Sequence, residues 1–459
     1  MDFDEKGIAG YQVVQLPKGI SVKEAVDLYK KNPDIELAEP DYKVTIEAIP
    51  NDPGYSSLWG LGSISAPQAW DLTTGSSSVI VAVIDTGVDY NHADLAANIW
   101  TNTDEIPGNG IDDDHNGYID DVRGWNFVSN NNNPMDDHNH GTHCAGTISA
   151  VGNNGIGVTG VAWNVKIMPL KFLDSSGSGY TSAAAAAILY ANANGASVLS
   201  NSWGGGGYSS SLYTAIQQSN GVVVCAAGNS NSNNDAYPMY PSSYNLDNII
   251  SVAAGDSSNN RASFSSYGLT SVDVAAPGVS IYSTTPGSSY GWMSGTSMAT
   301  PHTAGVAALV KSRNPSLTNL QVKQFIMNNV DPLPAFSGIT VTGGKINAYK
   351  AVNAVIPPVD AKFTCVPGTG VKPLTVQFND LSTGNPTSWQ WNFGEGANST
   401  DKNPTHVYAN AGTYTVTLTA TNGYGSSTKQ KVGYITVTPP PTPVADFNAT
   451  PVTLSLIHI

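Results

Sequence analysis

The sequence predicts an α/β protein, with a parallel sheet flanked by helices over residues 51–356. A small α+β unit precedes this domain at 1–50, and an immunoglobulin-like β-sandwich follows it at 360–438. In the middle segment, wholly apolar runs alternate with helical stretches, which is typical of buried parallel strands with helices on both faces. In the last segment, apolar residues recur at every second position between turns rich in Gly, Asn and Pro, as in antiparallel sandwiches. A proline-rich linker and the truncated start of a second sandwich repeat are expected at 439–459.

The elements of the middle domain follow from the length and pattern of each run. The predicted strands are the apolar runs at 79–84, 165–173, 196–201, 222–227 and 249–253. The predicted helices are the stretches at 141–150, 182–194, 211–219 and 297–313. Sites in such sheets form beyond the carboxyl ends of the strands, so polar residues that directly follow a strand are the first candidates.

Charge and cysteine content limit the possible functions. Acidic residues outnumber basic ones by 35 to 20, which gives a net charge of −15. This balance argues against a nucleic-acid-binding protein, which needs a basic face, and against docking on anionic lipid. No apolar run approaches the roughly 18 residues of a membrane span. Three cysteines cannot form a complete disulfide framework, and Cys144 and Cys225 are predicted to be free, small core residues.

Three segments carry polar residues that packing alone does not require. Asp85 ends the apolar run at 79–84, where a buried carboxylate must be paired or hydrogen-bonded. His140 precedes a helix of small residues, and Ser297 opens another helix, whose first N–H groups favour negative charge. Taken singly, these residues could be a turn aspartate, a structural histidine and a helix cap. A zinc pair at His140 and His143 is the other possibility, although the HExxH pattern is absent.

The three segments together carry a specific resemblance. The motifs DTGVD, HGTHCAGT and GTSMATPH occur in the chain order Asp, His, Ser, and in this they resemble the subtilisin-like serine proteases, or peptidase S8 family. The resemblance implies that Ser297 is the nucleophile, His140 the general base and Asp85 the residue that orients the imidazole. It also implies that Asn229, in VVVCAAGN, stabilises the oxyanion together with the Ser297 N–H.

The same resemblance implies a substrate groove. Two segments would form its walls, and a peptide would add between them as an extra strand. The predicted substrate-binding residues are Ser178, Gly179 and Tyr180 on one wall and Ser202, Trp203 and Gly204 on the other. The segment at 229–244 is expected to shape the pocket for the residue before the scissile bond. Ordinary loops remain the alternative for both walls.

Calcium is the predicted cofactor, at a loop whose spacing follows the 1-3-5 pattern of calcium loops. Its predicted ligands are Asp112, Asp114, Asn116, the carbonyl of Tyr118, and Asp121. A Glu at position 12 is missing, and a solvated acidic turn is the alternative. Family resemblance implies a second calcium site, with a weaker cation site elsewhere. Its residues would be Asp94, Asn154 (or Asn153) and the carbonyls of Val151, Ile156 and Val158, with Asp273 at the weaker site.

The flanking segments also resemble known modules. LAEPDYKVTIEAIPNDPGY resembles the end of an I9-type inhibitor propeptide, preceded by the helix SVKEAVDLYKKN between two short strands. Such a propeptide would be truncated here, would block the groove and would be removed by self-cleavage; a permanent accessory domain is the alternative. WQWNFGEG and HVYANAGTYTVTLTATN resemble a PKD domain, with Glu395 where Asp is usual.

The sequence therefore predicts a calcium-stabilised serine endopeptidase that acts as a monomer on protein or peptide substrates. Extracellular location is inferred from the family and the domain types, since residues 1–20 show no signal peptide. Two rival hypotheses are a sedolisin-type peptidase and an inert fold that binds through its PKD domain. His140 and Asn229 argue against the first rival, and the complete set of Asp85, His140 and Ser297 together with Asn229 argues against the second.

Overall fold

The computed structural model describes residues 13–14, 16, 22–41 and 49–445. The chain divides into two compact units, Met1–Ala48 and Ile49–Ile459. In the first unit, helix α1 (Val22–Tyr29) carries an exposed ion pair between Lys23 and Asp27, with 2.8 Å between Nζ and Oδ2. Pairs four residues apart support a helix modestly. The strands predicted around α1 lie largely outside the described residues, and the second sandwich repeat after residue 445 lies outside them.

The second unit begins with its α/β domain. Its strands are β1 (Ile80–Asp85), β2 (Trp125–Asn126), β3 (Lys166–Lys171), β4 (Val198–Asn201), β5 (Val222–Ala226), β6 (Ile249–Gly255), β7 (Val274–Pro277), β8 (Ile281–Thr285), β9 (Ser289–Met293), β10 (Asp331–Pro332) and β11 (Gly344–Lys345). Its helices are α2 (Trp59–Ser63), α3 (Ala66–Trp70), α4 (His140–Ser149), α5 (Thr181–Ala193), α6 (Ser210–Gln217), α7 (Thr296–Arg313), α8 (Asn319–Met327) and α9 (Ala348–Ala354).

Within the described residues, nine of these strands form one sheet in the order β10-β11-β7-β6-β5-β4-β1-β3-β2, and β8 and β9 form a separate hairpin. All neighbours pair in parallel except β10 and β11. The chain runs from β1 to β3 on one side and then returns to β4 on the other side of β1. The strand order therefore reverses beside β1, and parallel sheets bind ligands at the carboxyl edge of such a point. The predicted fold class is confirmed.

Helix α7 is the main helix packed on this sheet. Fourteen of its 18 residues are buried, and Pro301, the sixth residue, lies inside the helix, where its missing N–H leaves the Ser297 carbonyl without its usual donor. Gly305 lets the helix approach the chain closely, because a Cβ there would lie 2.5 Å from Val161 Cβ. Such tight packing fixes the position of the first residues of α7 relative to the strand ends.

The hairpin of β8 and β9 was not predicted from the sequence. Its strands pair antiparallel, from Ile281 with Met293 to Thr285 with Ser289. Each strand has only five residues, IYSTT and SYGWM, and the first does not alternate apolar with polar positions, so the periodic signal is weak. Helix α7 begins two residues after the hairpin, so the end of β9 helps to fix the position of Ser297.

The C-terminal domain is a β-sandwich, as predicted. Its strands are β12 (Phe363–Val366), β13 (Thr369–Val371), β14 (Leu374–Asp380), β15 (Ser388–Asn392), β16 (Asn398–Ser399), β17 (Thr405–Tyr408), β18 (Gly412–Asn422) and β19 (Gly425–Thr438). In the described chain they form one sheet of order β12-β14-β17 and another of order β13-β19-β18-β15-β16. Trp391 is fully buried between the sheets, whereas Trp389 is half-buried.

The segment between the two domains is ordered on both sides. Asn314 Nδ2 donates to the carbonyl of Ile356 at 3.1 Å, and Asn422 Nδ2 donates to that of Pro357 at 3.0 Å. Val359 is buried, and Asp360 forms a β-bridge with Thr383. The segment 356–360, which contains Pro357 and Pro358, is therefore held by contacts with both domains.

Candidate active site

Asp85 is the last residue of β1 and is fully buried. Its Oδ1 accepts hydrogen bonds from the Thr86 N–H and from Nδ1 of His140, each at 2.7 Å. Its Oδ2 is buried, with no hydrogen-bond partner among the described residues. A buried carboxylate that grips one imidazole nitrogen fixes the ring's tautomer and orientation.

His140 is the first residue of α4, and its side chain is 21% exposed. The helix can approach β1 only because residue 141 is glycine, since a Cβ there would lie 2.0 Å from the Gly87 carbonyl oxygen. Burial lowers the pKa of His140, but the charge and hydrogen bond of Asp85, with a contribution from Asp136, raise the pKa above its ordinary value overall. The imidazole is thus a stronger base than a free histidine.

Ser297 is the second residue of α7, and its Oγ donates to the carbonyl of Ser202 at 2.8 Å. Ser202 directly follows β4, next to β1 in the sheet. The structure therefore brings Asp85, His140 and Ser297 to the same edge of the sheet, from three separate motifs.

Asn229 directly follows the buried segment after β5. Its Oδ1 accepts from the N–H of Thr296 at 2.8 Å and from the Thr296 hydroxyl at 2.9 Å, so the amide nitrogen is turned away from Thr296. A Cβ placed on Gly295 would lie 3.5 Å both from Asn229 Nδ2 and from the Ser297 N–H nitrogen. Two N–H donors therefore flank one small space beside Ser297, which suits an oxyanion.

The two predicted groove walls differ in burial. Ser178, Gly179 and Tyr180 are exposed, and Tyr180 is 83% exposed. Ser202 is buried, while Trp203 is half-buried, with its Nε1 donating to the Ile84 carbonyl at 2.9 Å. Because Ile84 precedes Asp85, this bond ties the second wall to the strand that carries the site.

The acidic loop places three carboxylates together. One oxygen from each of Glu105, Asp114 and Asp121 lies within 4.8 Å of the others, and Glu105 and Asp121 are buried. The hydrogen bonds that they accept come from neutral groups. These donors are the side chains of Asn102, Asn116 and Tyr190 and the N–H groups of Asp113, Asp114, Asn116 and Asp120. Buried, unneutralised oxygen ligands are the environment that a hard divalent cation fits.

Other residues of this loop differ from the sequence expectation. Asp112 lies outside the group of three, and its oxygens accept the N–H groups of Asn116 at 3.0 Å and Gly117 at 2.8 Å. Asn116 presents its amide nitrogen to Asp114 and Asp121, an orientation assigned from the hydrogen-bond network. The Tyr118 ring packs edge-on against Tyr190 at 5.0 Å between ring centroids. Glu105 was missed, because no ligand spacing connects it to Asp112.

Asp94 is buried, and burial raises its pKa despite hydrogen bonds from Val158, Asn154 and Tyr290. Asn154 Nδ2 and the Val158 N–H each donate to it at 2.8 Å. The N–H of Val151 donates to the backbone carbonyl of Asp94 at 2.9 Å, and Ile156 is exposed. The predicted loop thus packs on Asp94, although N–H groups rather than carbonyls make these contacts.

Asp52 is a second carboxylate at this loop, and it was not predicted as a metal ligand from the sequence. It is 3% exposed and accepts the N–H groups of Asn153 at 2.7 Å and Asn154 at 3.1 Å. Its position 42 residues before Asp94 gives no spacing signal. Only the fold shows that both carboxylates meet the same loop.

Asp273 has a cation from the protein itself. Lys323 Nζ lies 3.4 Å from its carboxylate, and the Ser251 N–H donates to it at 2.8 Å. Because Lys323 already supplies a positive charge, Asp273 is not among the proposed metal ligands.

All three cysteines lie in the described chain and are free, as predicted. Cys144 is fully buried, and its Sγ lies 3.5 Å from the Ser297 carbonyl oxygen. Burial raises its thiol pKa well above the ordinary value, so the thiolate is disfavoured.

Among the described helices, none is long and apolar enough to cross a membrane.

Comparison with known proteins gives matches to three parts of the chain. The Subtilase family model matches residues 76–356, the PKD domain model residues 355–437, and the model of the fervidolysin N-terminal prodomain residues 8–41. Thermitase from Thermoactinomyces vulgaris is 44% identical over 66% of this chain and 99% of its own length.

Two further relatives agree with these matches. The thermophilic serine proteinase of Bacillus sp. (strain AK1) is 40% identical over 72% of this chain and 76% of its own length. A solved protease structure from Pseudoalteromonas arctica PAMC 21717 superposes with a TM-score of 0.57 at 33% identity, over 67% of this chain and 99% of that one. Fold and relatives thus define a serine protease. The chain belongs to the subtilase family, peptidase S8, with a prodomain and a PKD domain.

Proposed function

We propose that this subtilase is a secreted, calcium-stabilised endopeptidase that cleaves proteins through an acyl-enzyme on Ser297. The observation that carries the proposal is the 2.7 Å contact between Asp85 and Nδ1 of His140, beside a helix start that presents Ser297. A serine hydroxyl is a weak nucleophile until a base takes its proton. The Asp85–His140 pair is suited to that task.

The reaction follows from the roles of these four residues. The Ser297 hydroxyl must turn from the Ser202 carbonyl to the free nitrogen, Nε2, of His140, which removes its proton during attack on the scissile carbonyl. Asp85 stabilises the imidazolium that forms. Asn229 Nδ2 and the Ser297 N–H stabilise the oxyanion. His140 then protonates the leaving amine, and water hydrolyses the acyl-enzyme by the same steps.

The substrate is expected to bind as a strand between the predicted walls. Ser178, Gly179 and Tyr180 would contact one edge of the peptide, and the segment from Ser202 to Gly204 the other. Exposed glycine on both walls permits the close backbone approach that such pairing needs.

We propose calcium at two places. Glu105, Asp114 and Asp121, with further ligands from the 112–118 loop, would hold one ion; Asp52, Asp94 and the 151–158 loop would hold the other. An ion bound only by the folded state stabilises it by mass action. The three-carboxylate cluster supports the first site, and the two buried carboxylates at one loop support the second.

We further propose that residues 1–50 are an inhibitory propeptide, 51–356 the catalytic domain and 360–438 the PKD domain. The division of the chain after Ala48 supports the first boundary. Extracellular action as a monomer rests on the family and domain types. The alternative, an inert binding protein, gains no support from an intact set of catalytic residues.

Casein hydrolysis and fluorophosphonate labelling of the full chain test the mechanism. Ser297→Ala should abolish both, because it removes the nucleophile. Ser312→Ala, at the other end of α7, is the matched control and should retain both. Labelling that persists in Ser297→Ala contradicts the proposed mechanism.

A further inference from the structure

A second buried carboxylate lies close to His140. Asp136 stands four residues before it, on the loop that enters α4, and is 6% exposed. Its Oδ1 accepts from Thr86 Oγ1 at 2.8 Å, the His138 N–H at 2.9 Å and the Asn139 N–H at 3.0 Å. Its Oδ2 accepts from the N–H and hydroxyl of Thr142 at 2.9 and 2.6 Å. Hydrogen bonds to a charged acceptor are stronger than neutral ones, so this carboxylate holds five donors firmly.

These five bonds join the chain around His140 to the residue that follows Asp85. Thr86 donates its N–H to Asp85 and accepts the Gly141 N–H at Oγ1, at 2.9 Å. Asn139 and Thr142 bracket His140 before and after. Asp136 therefore connects both sides of the base to the end of β1.

We propose that Asp136 is a positioning residue for the reaction. Through Thr86 and Thr142 it keeps the start of α4 against the end of β1, so that His140 stays in contact with Asp85. The inference rests on the proposed roles of Asp85 and His140. Asp136 itself touches neither the substrate nor the reacting atoms.

The charge of Asp136 supports the same conclusion. It adds to the effect of Asp85 in raising the pKa of His140 against burial, and so favours the imidazolium that forms during attack. The other titratable groups near the ring are the His138 ring, at 6.3 Å between centroids, and His143 and Cys144 on α4, while Lys171 on β3 contacts Thr86 and Asp137, the residues next to Asp85 and Asp136. Lys171 Nζ is engaged by Asp137 at 2.6 Å and by the Thr86 carbonyl at 2.7 Å. The buried anions beside His140 are thus Asp85 and Asp136.

A purely structural cap would behave differently from a positioning residue. Loss of a cap lowers stability and leaves the kinetics of the folded fraction unchanged. Loss of positioning lowers kcat and moves the pH profile while KM stays constant, because substrate contacts are intact.

Asp136→Asn keeps the size of the side chain but removes its charge. It also replaces one acceptor oxygen by an amide NH2, which can only donate hydrogen bonds. We expect kcat per labelled site to fall by about 10–100-fold, since small misplacement of a catalytic group costs up to that factor. The acid limb of kcat/KM should move to lower pH, because the pKa of His140 falls. Fluorophosphonate titration of the full chain counts the active sites for this comparison.

Asp137→Asn is the matched control. It makes the same charge change one residue further on, where the side chain is 53% exposed and pairs with Lys171. Its kcat and acid limb should stay within about twofold of wild type, because screening by solvent weakens an exposed charge. An equal shift in both variants would show a general charge effect and overturn the proposal.

A second pair of variants decides the question should Asp136→Asn not fold. Thr142→Ser keeps the hydroxyl and should match wild type, while Thr142→Val loses one bond to Asp136 and should lower kcat with the same KM. An unaltered kcat and pH profile in Asp136→Asn or in Thr142→Val would overturn the positioning role. A wild type that neither releases residues 1–50 by self-cleavage nor becomes labelled would instead overturn the proposed function.

Discussion

Met239 lies between the two glycine-bearing segments that border Ser297 and Asn229. A Cβ on Gly204 would lie 3.3 Å from Met239 Cγ and Sδ, and one on Gly228 would lie 2.7 Å from Met239 Cε. Gly204 follows the wall that starts at Ser202, and Gly228 precedes Asn229. The thioether chain therefore fills the space between these segments and limits the depth available to a substrate side chain there.

This position of Met239 predicts a preference for short, uncharged residues before the scissile bond. Met239→Ala should raise kcat/KM for a phenylalanine at that place, relative to alanine, by about 10–100-fold, the usual range for methylene-sized changes in an apolar pocket. Peptide p-nitroanilides that differ only in that residue measure the ratio. Tyr237→Ala, on the same loop but 75% exposed, is the control; a ratio that is unchanged by Met239→Ala contradicts the prediction.

The sequence predicted those site residues that carry their own motif. Asp85, His140 and Ser297 each stand in a contiguous pattern with a chemical reason for the residue type. Asp136 and Glu105 have no such pattern, because each acquires its partners only when the chain folds. Both are recognisable in the structure by burial together with the number of donors around them.

At the level of elements, the acidic loop is tied to helix α5. The Tyr190 hydroxyl donates to Asp121 from the last turn of α5, and the helix begins directly after the exposed wall that ends at Tyr180. Tyr118 packs on the same tyrosine. The proposed ion would therefore brace a helix that supports the groove.

Glu105→Gln tests this metal site. Calcium at 100 times its dissociation constant would stabilise the folded state by about 2.7 kcal/mol, or about 5–10 °C in melting temperature for a domain of this size. In wild type, the melting temperature in calcium should exceed that in chelator by at least this amount. In Glu105→Gln, most of this contribution should be lost. Thermal melts in both conditions give the difference. Asp113→Asn, in the same loop but outside the cluster, should keep it; equal calcium shifts in the two variants argue against a site at Glu105.

The predictability of the elements depended on their length and burial. Strands β1, β3, β4, β5 and β6 coincide with the predicted apolar runs to within a few residues. Two-residue strands such as β2 and β10 gave no signal, since their pairing depends on neighbours distant in sequence. Helices α2 and α3, of five residues each, are likewise too short for a periodic pattern.

At the scale of the whole molecule, two buried histidines make stability depend on pH. Burial lowers the pKa of His143 and of His302 to about 4 each. His143 Nε2 lies 3.0 Å from the Ile281 carbonyl and 3.2 Å from that of Gly291, and His302 Nδ1 lies 2.8 Å from that of Met298. Both are therefore neutral in the folded enzyme at pH 7.

The unfolded chain, with histidine pKa values of about 6.5, binds more protons than the folded one between pH 6.5 and 4. Stability is therefore fully present above pH 6.5 and falls by about 3 kcal/mol for each histidine as the pH drops to 4. Denaturant unfolding in a Ser297→Ala background, which prevents self-digestion, measures this slope. His302→Gln should remove about half of the histidine contribution; a slope unaffected by it contradicts the prediction.

The ordered junction between the catalytic domain and the sandwich has a consequence for the life of the enzyme. A protease in solution is surrounded by copies of itself, and any segment that can extend into a neighbour's groove will be cut. The carbonyls of Ile356 and Pro357 accept hydrogen bonds from Asn314 and Asn422. Val359 is buried, and Asp360 forms a bridge with Thr383. Cleavage within this segment would first require these contacts to break. We therefore expect this anchored stretch to resist autolysis, so that the sandwich stays attached to the catalytic domain.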